Sequence, residues 1–104
     1  MFALKHLSHH PAHSTPYVDI PLNPGAHVYL LVNALGGITA IEVYCVVKEA
    51  VGQLQAMGVT VVRTLAGVLC SSLDMRGVSI SVLNMGMAGG DLLALLDAPT
   101  NVRW

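Results

Sequence analysis

The spacing of apolar positions along this chain changes period several times, and each change marks an element. Between His27 and Asn33 the run HVYLLVN is apolar over the length of a strand, the pattern of a strand covered on both faces. Such a strand belongs at the centre of a sheet. From Thr39 the period becomes helical: Val43, Val46, Val47, Ala50, Leu54 and Met57 share one face, while Glu42, Glu49, Gln53 and Gln55 lie mainly elsewhere. The helix ends are marked too. Thr39-x-x-Glu42 has the spacing of a capping box, and Gly58 follows Met57 where a left-handed residue closes a helix. VTVVRTLAGV (59–68) is rich in β-branched residues and reads as a second strand. The resulting strand–helix–strand unit predicts a right-handed crossover and parallel strands. In VSISVLNM (78–85), Val78, Ile80 and Val82 alternate with Ser79 and Ser81, predicting a third strand with one more polar face. About nine residues, LCSSLDMRG, join the second strand to the third, fewer than a parallel crossover needs, so the sheet should be mixed. DLLALLDA (91–98) predicts a closing helix, capped by Asp91 after Gly89-Gly90 and stopped by Pro99.

Residues 1–26 hold four of the five prolines and four of the five histidines. This part reads as a helix end, LKHL, followed by an extended connector, with the compact part over 27–104. The expected architecture is one small α/β domain: a mixed β-sheet, a strand–helix–strand crossover and a C-terminal helix.

Composition adds a partner to this picture. Of 104 residues, 54% are hydrophobic and 11% charged, against about 25% charged in ordinary globular domains. That is too little charge to coat a free-standing surface, which predicts a homo-oligomer or cover by more protein. A net charge of −1 with five Lys and Arg excludes a nucleic-acid footprint, which needs clustered basic side chains. The start, MFALKHLSHH, has no secretory apolar core, and later apolar runs are interrupted by Lys48, Glu49 and Arg63, so no membrane association is expected and the chain reads as cytoplasmic. Cys45 and Cys70 lack C-x-x-C spacing and read as two reduced thiols.

The stretch LVNALGGITAIE (31–42) runs from strand through paired glycines into a helix start, the layout of a phosphate-binding turn. Neither glycine-rich nucleotide motif is present, and Gly-Gly is also ordinary turn punctuation, which favours a structural turn. Asn33, at the C-terminal end of the central strand, stands where open α/β sheets bind ligands; a turn-forming side-chain bond is the competing role and the one favoured here. Asn33, Gly36 and Gly37 are thus the candidate substrate-binding residues. His6, His9, His10 and His13 have the spacing of a metal-chelating helix face, but Pro11 interrupts it, and no metal site is assigned. Ser71 and Ser72 read as caps of a short turn, and Asp74, Arg76 and Asp97 as solvated or capping residues.

Four blocks in order, LLVNALGG (30–37), LQAMGVTVVRTLAG (54–67), SSLDMRGVSISVL (71–83) and DLLALLDAPT (91–100) followed by Trp104, resemble the second half of the substrate-binding K domain of the dihydroxyacetone (glycerone) kinases. LKHL resembles the end of the family's preceding helix. The family loop Asn-Asn-Leu-Gly-Gly is Asn33-Ala34-Leu35-Gly36-Gly37 here, with one side-chain amide lost. The family's Gly-Thr-Phe-Met-Thr-Ser-Leu is Gly67-Val68-Leu69-Cys70-Ser71-Ser72-Leu73, with Val68 in place of a threonine, and NMGMAGG (84–90) replaces an acidic linker.

The resemblance implies a system that phosphorylates dihydroxyacetone with ATP. In that family a histidine of a His-Gly-Glu motif captures the substrate carbonyl as a hemiaminal. His6, His9, His10, His13 and His27 are followed by Leu, His, Pro, Ser and Val, so none inherits that role and no catalytic residue is assigned. ATP and magnesium belong, on this resemblance, to a separate L domain or subunit and not to this chain. The implied partners are the first half of the K domain, an L domain or subunit, and a second copy, since the family's K domains are homodimers. The chain is expected to be inactive alone; the alternatives are a non-catalytic interaction or dimerisation module that kept the fold, and a metal-binding protein working through its N-terminal histidines.

Overall fold

The computed structural model describes residues 22–86 and 91–101. Strand β1 (His27–Ala34) is followed by helix α1 (Ala40–Ala56), strands β2 (Thr60–Gly67) and β3 (Val78–Asn84), and a short helix α2 (Leu92–Asp97). Among the described residues the sheet has three strands in the order β2-β1-β3, with β1 central as its unbroken apolar run requires. β2 runs parallel to β1 and β3 antiparallel, so the sheet is mixed. The β1–β2 register skips one residue between Val61 and Arg63, a bulge in an otherwise regular ladder.

Alternation along β1 divides the core. Val28, Leu30, Val32 and Ala34 face α1 and bury against Val43, Ala50 and Leu54, joined by Val59 and by Leu22 ahead of the first strand. Val46, Val47 and Met57 pack at the margin, so the predicted helix face is the one that closes the core. Gly25 and Ala26 are tied to the start of β2: the Gly25 N–H donates to Gly58 O at 2.8 Å and the Thr60 N–H to Ala26 O at 2.8 Å.

Both ends of α1 form as the spacing predicts. The Glu42 N–H donates to Thr39 Oγ1 at 3.3 Å, and the Thr39 N–H donates to Glu42 Oε2 at 2.9 Å, a reciprocal capping box. At the other end Gly58 takes φ +79°. Its N–H donates to Gln55 O and the Val59 N–H to Leu54 O, the double bond pattern of a Schellman close. Thr39→Ala should therefore cost ~1 kcal/mol in a thermal or urea melt, independent of any ligand.

α2 caps as expected, with Asp91 Oδ1 accepting from the Ala94 N–H at 3.3 Å. It is tied to β2 by the Arg63 guanidinium, which donates to Asp97 Oδ2 at 2.9 Å; both side chains are about half exposed, at 47% and 45%, so the pair contributes little. Gly89, Gly90 and the histidines at 6, 9, 10 and 13 lie outside the described residues.

Candidate functional site: the C-terminal end of the central strand

Asn33 is the one buried polar side chain among the described residues, 8% exposed. The expected local turn bond is not what it makes. Its Oδ1 accepts from the N–H groups of Leu69 at 2.8 Å and Cys70 at 3.0 Å, and its Nδ2 donates to Cys70 O at 2.8 Å. The partners lie 36 and 37 residues further on, so the amide clamps the end of β1 to the loop that leaves β2. The physical reason is placement: β2 is parallel to β1, so its C-terminal end emerges beside Asn33, which is paired with Gly67.

From this clamp the two loops zip together through backbone. The Leu35 N–H donates to Gly77 O at 3.0 Å, the Ser72 N–H to Leu35 O at 2.9 Å and the Gly37 N–H to Met75 O at 3.0 Å. Ser72 O accepts from the Met75 N–H at 2.9 Å, closing a turn in which Leu73 and Asp74 take left-handed φ values of 48° and 53°. Non-glycine residues adopt this region at a cost, and the bonds on either side hold them there.

Gly36 and Gly37 are pressed against that turn. Gly36 has φ +117°, and a Cβ on it would lie 2.9 Å from Asp74 Oδ1 and 3.0 Å from Asp74 Cα. A Cβ on Gly37 would be driven into the Asp74 carbonyl oxygen, with the Arg76 nitrogen at 3.0 Å. The Glu42 carboxylate already sits at the N-terminus of α1, in the place an anion would take.

The second face of the sheet carries Tyr29, Leu31 and Asn33. A shallow groove of about 330 Å³ runs there between Tyr29, Leu31, Ser81, Leu83 and Leu96. Leu83, Leu95 and Leu69 are left 40%, 70% and 43% exposed. Cys45 and Cys70 are exposed free thiols. Among the described residues no three His, Cys, Asp or Glu side chains converge as metal ligands, and no helix is long and apolar enough to cross a membrane.

A family model described as the Dak1 domain matches residues 4–103, nearly the whole chain. The chain belongs to the Dak1 domain family. This Dak1 segment is 38% identical over 84 residues to a triokinase/FMN cyclase of Rattus norvegicus, covering 81% of this chain and 14% of the relative. It is 41% identical over 81 residues to the dihydroxyacetone-binding subunit DhaK of a PEP-dependent dihydroxyacetone kinase of Escherichia coli, covering 78% of this chain and 22% of that subunit. A dihydroxyacetone kinase of Pichia angusta is 35% identical over 101 residues, with 95% and 16% covered. The chain thus spans less than a quarter of the length of these relatives. The resemblance of the four sequence blocks to dihydroxyacetone kinase K domains is a family relationship.

Nothing in the spacing around Asn33 announces its partners, because Leu69 and Cys70 are brought to it only by the parallel pairing of β1 and β2. The available signal was indirect: a polar residue ending an otherwise apolar central strand must find partners or cost stability.

Proposed function

We propose that this chain supplies the clamped sheet segment of a dihydroxyacetone kinase K domain, within a system that phosphorylates dihydroxyacetone or a similar small hydroxyketone. The observation that carries this reading is the Asn33 clamp. Every polar atom of its amide is engaged with Leu69 and Cys70, and the backbone of Gly37 is engaged with Met75. On this reading the loop over residues 33–39 is scaffold, and the groups that react with substrate come from sequence outside these 104 residues. The relatives support the substrate class, since their names include dihydroxyacetone kinase and triokinase. One of them is a PEP-dependent system, so on this reading the phosphoryl donor, ATP with magnesium or another, is the property of a partner domain or subunit. The setting is the cytoplasmic metabolism of glycerol and trioses.

The exposed leucines at 83 and 95 favour a second reading, a non-catalytic module that kept the fold and docks through its apolar surface. Two measurements separate the readings. The purified chain, incubated with dihydroxyacetone and MgATP, is expected to show no turnover and no mass adduct. A chimera in which residues 4–103 replace the matching segment of the bacterial DhaK subunit is expected to retain the dihydroxyacetone adduct by intact mass. Turnover by the chain alone, or a folded chimera without the adduct, would overturn the proposal.

A further inference from the structure

Helix α2 has little of its own to hold it in place. It is six residues long and buries none of them, and a helix of that length does not persist by itself in water. Among the described residues no other element packs substantially on it. It is tied to the sheet by the half-exposed Arg63–Asp97 pair and by Leu96, which forms one wall of the groove on the second face. That groove is otherwise lined by Tyr29, Leu31 and Leu83, with Ser81 supplying a hydroxyl.

This lining selects an occupant. A shallow apolar groove with one hydroxyl suits a flat aromatic side chain with one donor, and tryptophan is that side chain: a large apolar ring system whose single N–H takes a partner when buried. The chain has one tryptophan, Trp104, three positions past Asn101 and outside the described residues. Trp104 follows Leu96 by eight residues, a reach of up to about 27 Å in extended chain, where neighbouring strands stand ~4.8 Å apart. The groove is therefore within reach. Residues 1–21 start from the wrong side, because they join the described chain at Leu22, which is buried on the face that α1 covers.

We infer that Trp104 folds back into this groove and latches α2 to the sheet. The indole covers Leu31 and Leu83 beside the Tyr29 ring, and its N–H donates to the Ser81 hydroxyl. A short tether places the indole at an effective concentration in the mM range, so a contact too weak to hold separate molecules is occupied within one. The latch takes Leu83 off the free surface and leaves Leu95 exposed. It concerns how the chain closes on itself, so it stands or falls independently of the kinase reading.

Because the tryptophan is single, its fluorescence reports on the latch in the full chain. Its emission is expected to be blue-shifted and shielded from acrylamide relative to the urea-unfolded chain, and unchanged on dilution. Ser81→Glu, at an exposed strand position lining the groove, should move the emission to that of the unfolded chain with the helix signal unchanged. Leu95→Glu, on α2 but off the groove, should leave it alone. Trp104→Ala should speed hydrogen exchange at the Leu95 and Ala98 amides, whose bonds close α2, about tenfold or more while Leu54 keeps its protection. Emission of a water-exposed indole in the parent chain overturns the inference. So does a blue shift that persists in Ser81→Glu, that is lost equally in Leu95→Glu, or that fades on dilution, the mark of a second copy's tryptophan. Unchanged exchange in α2 on Trp104→Ala overturns it as well.

Discussion

Replacing Asn33 with alanine is expected to lower stability by about 2–3 kcal/mol, because its one amide makes three bonds that hold the loop after β2 to the central strand. Each bond contributes about 0.5–1.5 kcal/mol net. The upper end is tempered because Leu69 and Cys70 are exposed, so their freed backbone groups regain water. Asn33→Asp discriminates this explanation from simple loss of volume. It keeps an acceptor for the Leu69 and Cys70 N–H groups but sets a second oxygen against Cys70 O, so it should rescue little. Urea melts give the energies, and hydrogen exchange gives the place: the Leu69 and Cys70 amides should lose protection while Leu54 in α1 keeps it. Unchanged exchange at 69 and 70 would show that the clamp is not what holds the loop.

Gly37→Ala should cost a similar amount, about 2–3 kcal/mol, and for a different reason. Gly37 has no left-handed φ, so the effect is steric: its new Cβ meets the Asp74 carbonyl and the Arg76 nitrogen, backbone atoms that cannot rotate aside. At Gly36 the same substitution meets both a φ of +117° and Asp74 atoms, one of them the movable Oδ1. Melts with and without phosphate separate scaffold from anion site. If residues 33–39 are scaffold, wild type and both variants keep the same offset in either buffer. A phosphate-dependent rise in wild type that vanishes in the glycine variants would make the loop a binding site.

What the sequence made legible was what local chemistry decides. Thr39, Glu42 and Gly58 mark the ends of α1 because caps are short-range bonds. The antiparallel placement of β3 followed from the shortness of the link after β2. What stayed hidden depends on contacts between distant segments. Asn33 read as a turn former because an Asn side chain readily bonds its own local backbone, whereas its partners arrive with β2. The bulge before Arg63 has no glycine to announce it. Leu73 and Asp74 take left-handed conformations that their side chains disfavour, imposed by the bonds to Leu35 and Gly37 on either side.

The order of the strands also sets a timetable for synthesis. The central strand is made first, and its antiparallel neighbour ends about fifty residues later. At ~5–20 residues per second, VYLLV leaves the ribosome several seconds before both of its neighbours exist. During that interval its apolar side chains and backbone groups are open to other nascent chains. Yield in cells should therefore depend on translation speed and on chaperones that shield apolar segments, to a degree that the stability of the finished fold does not foretell.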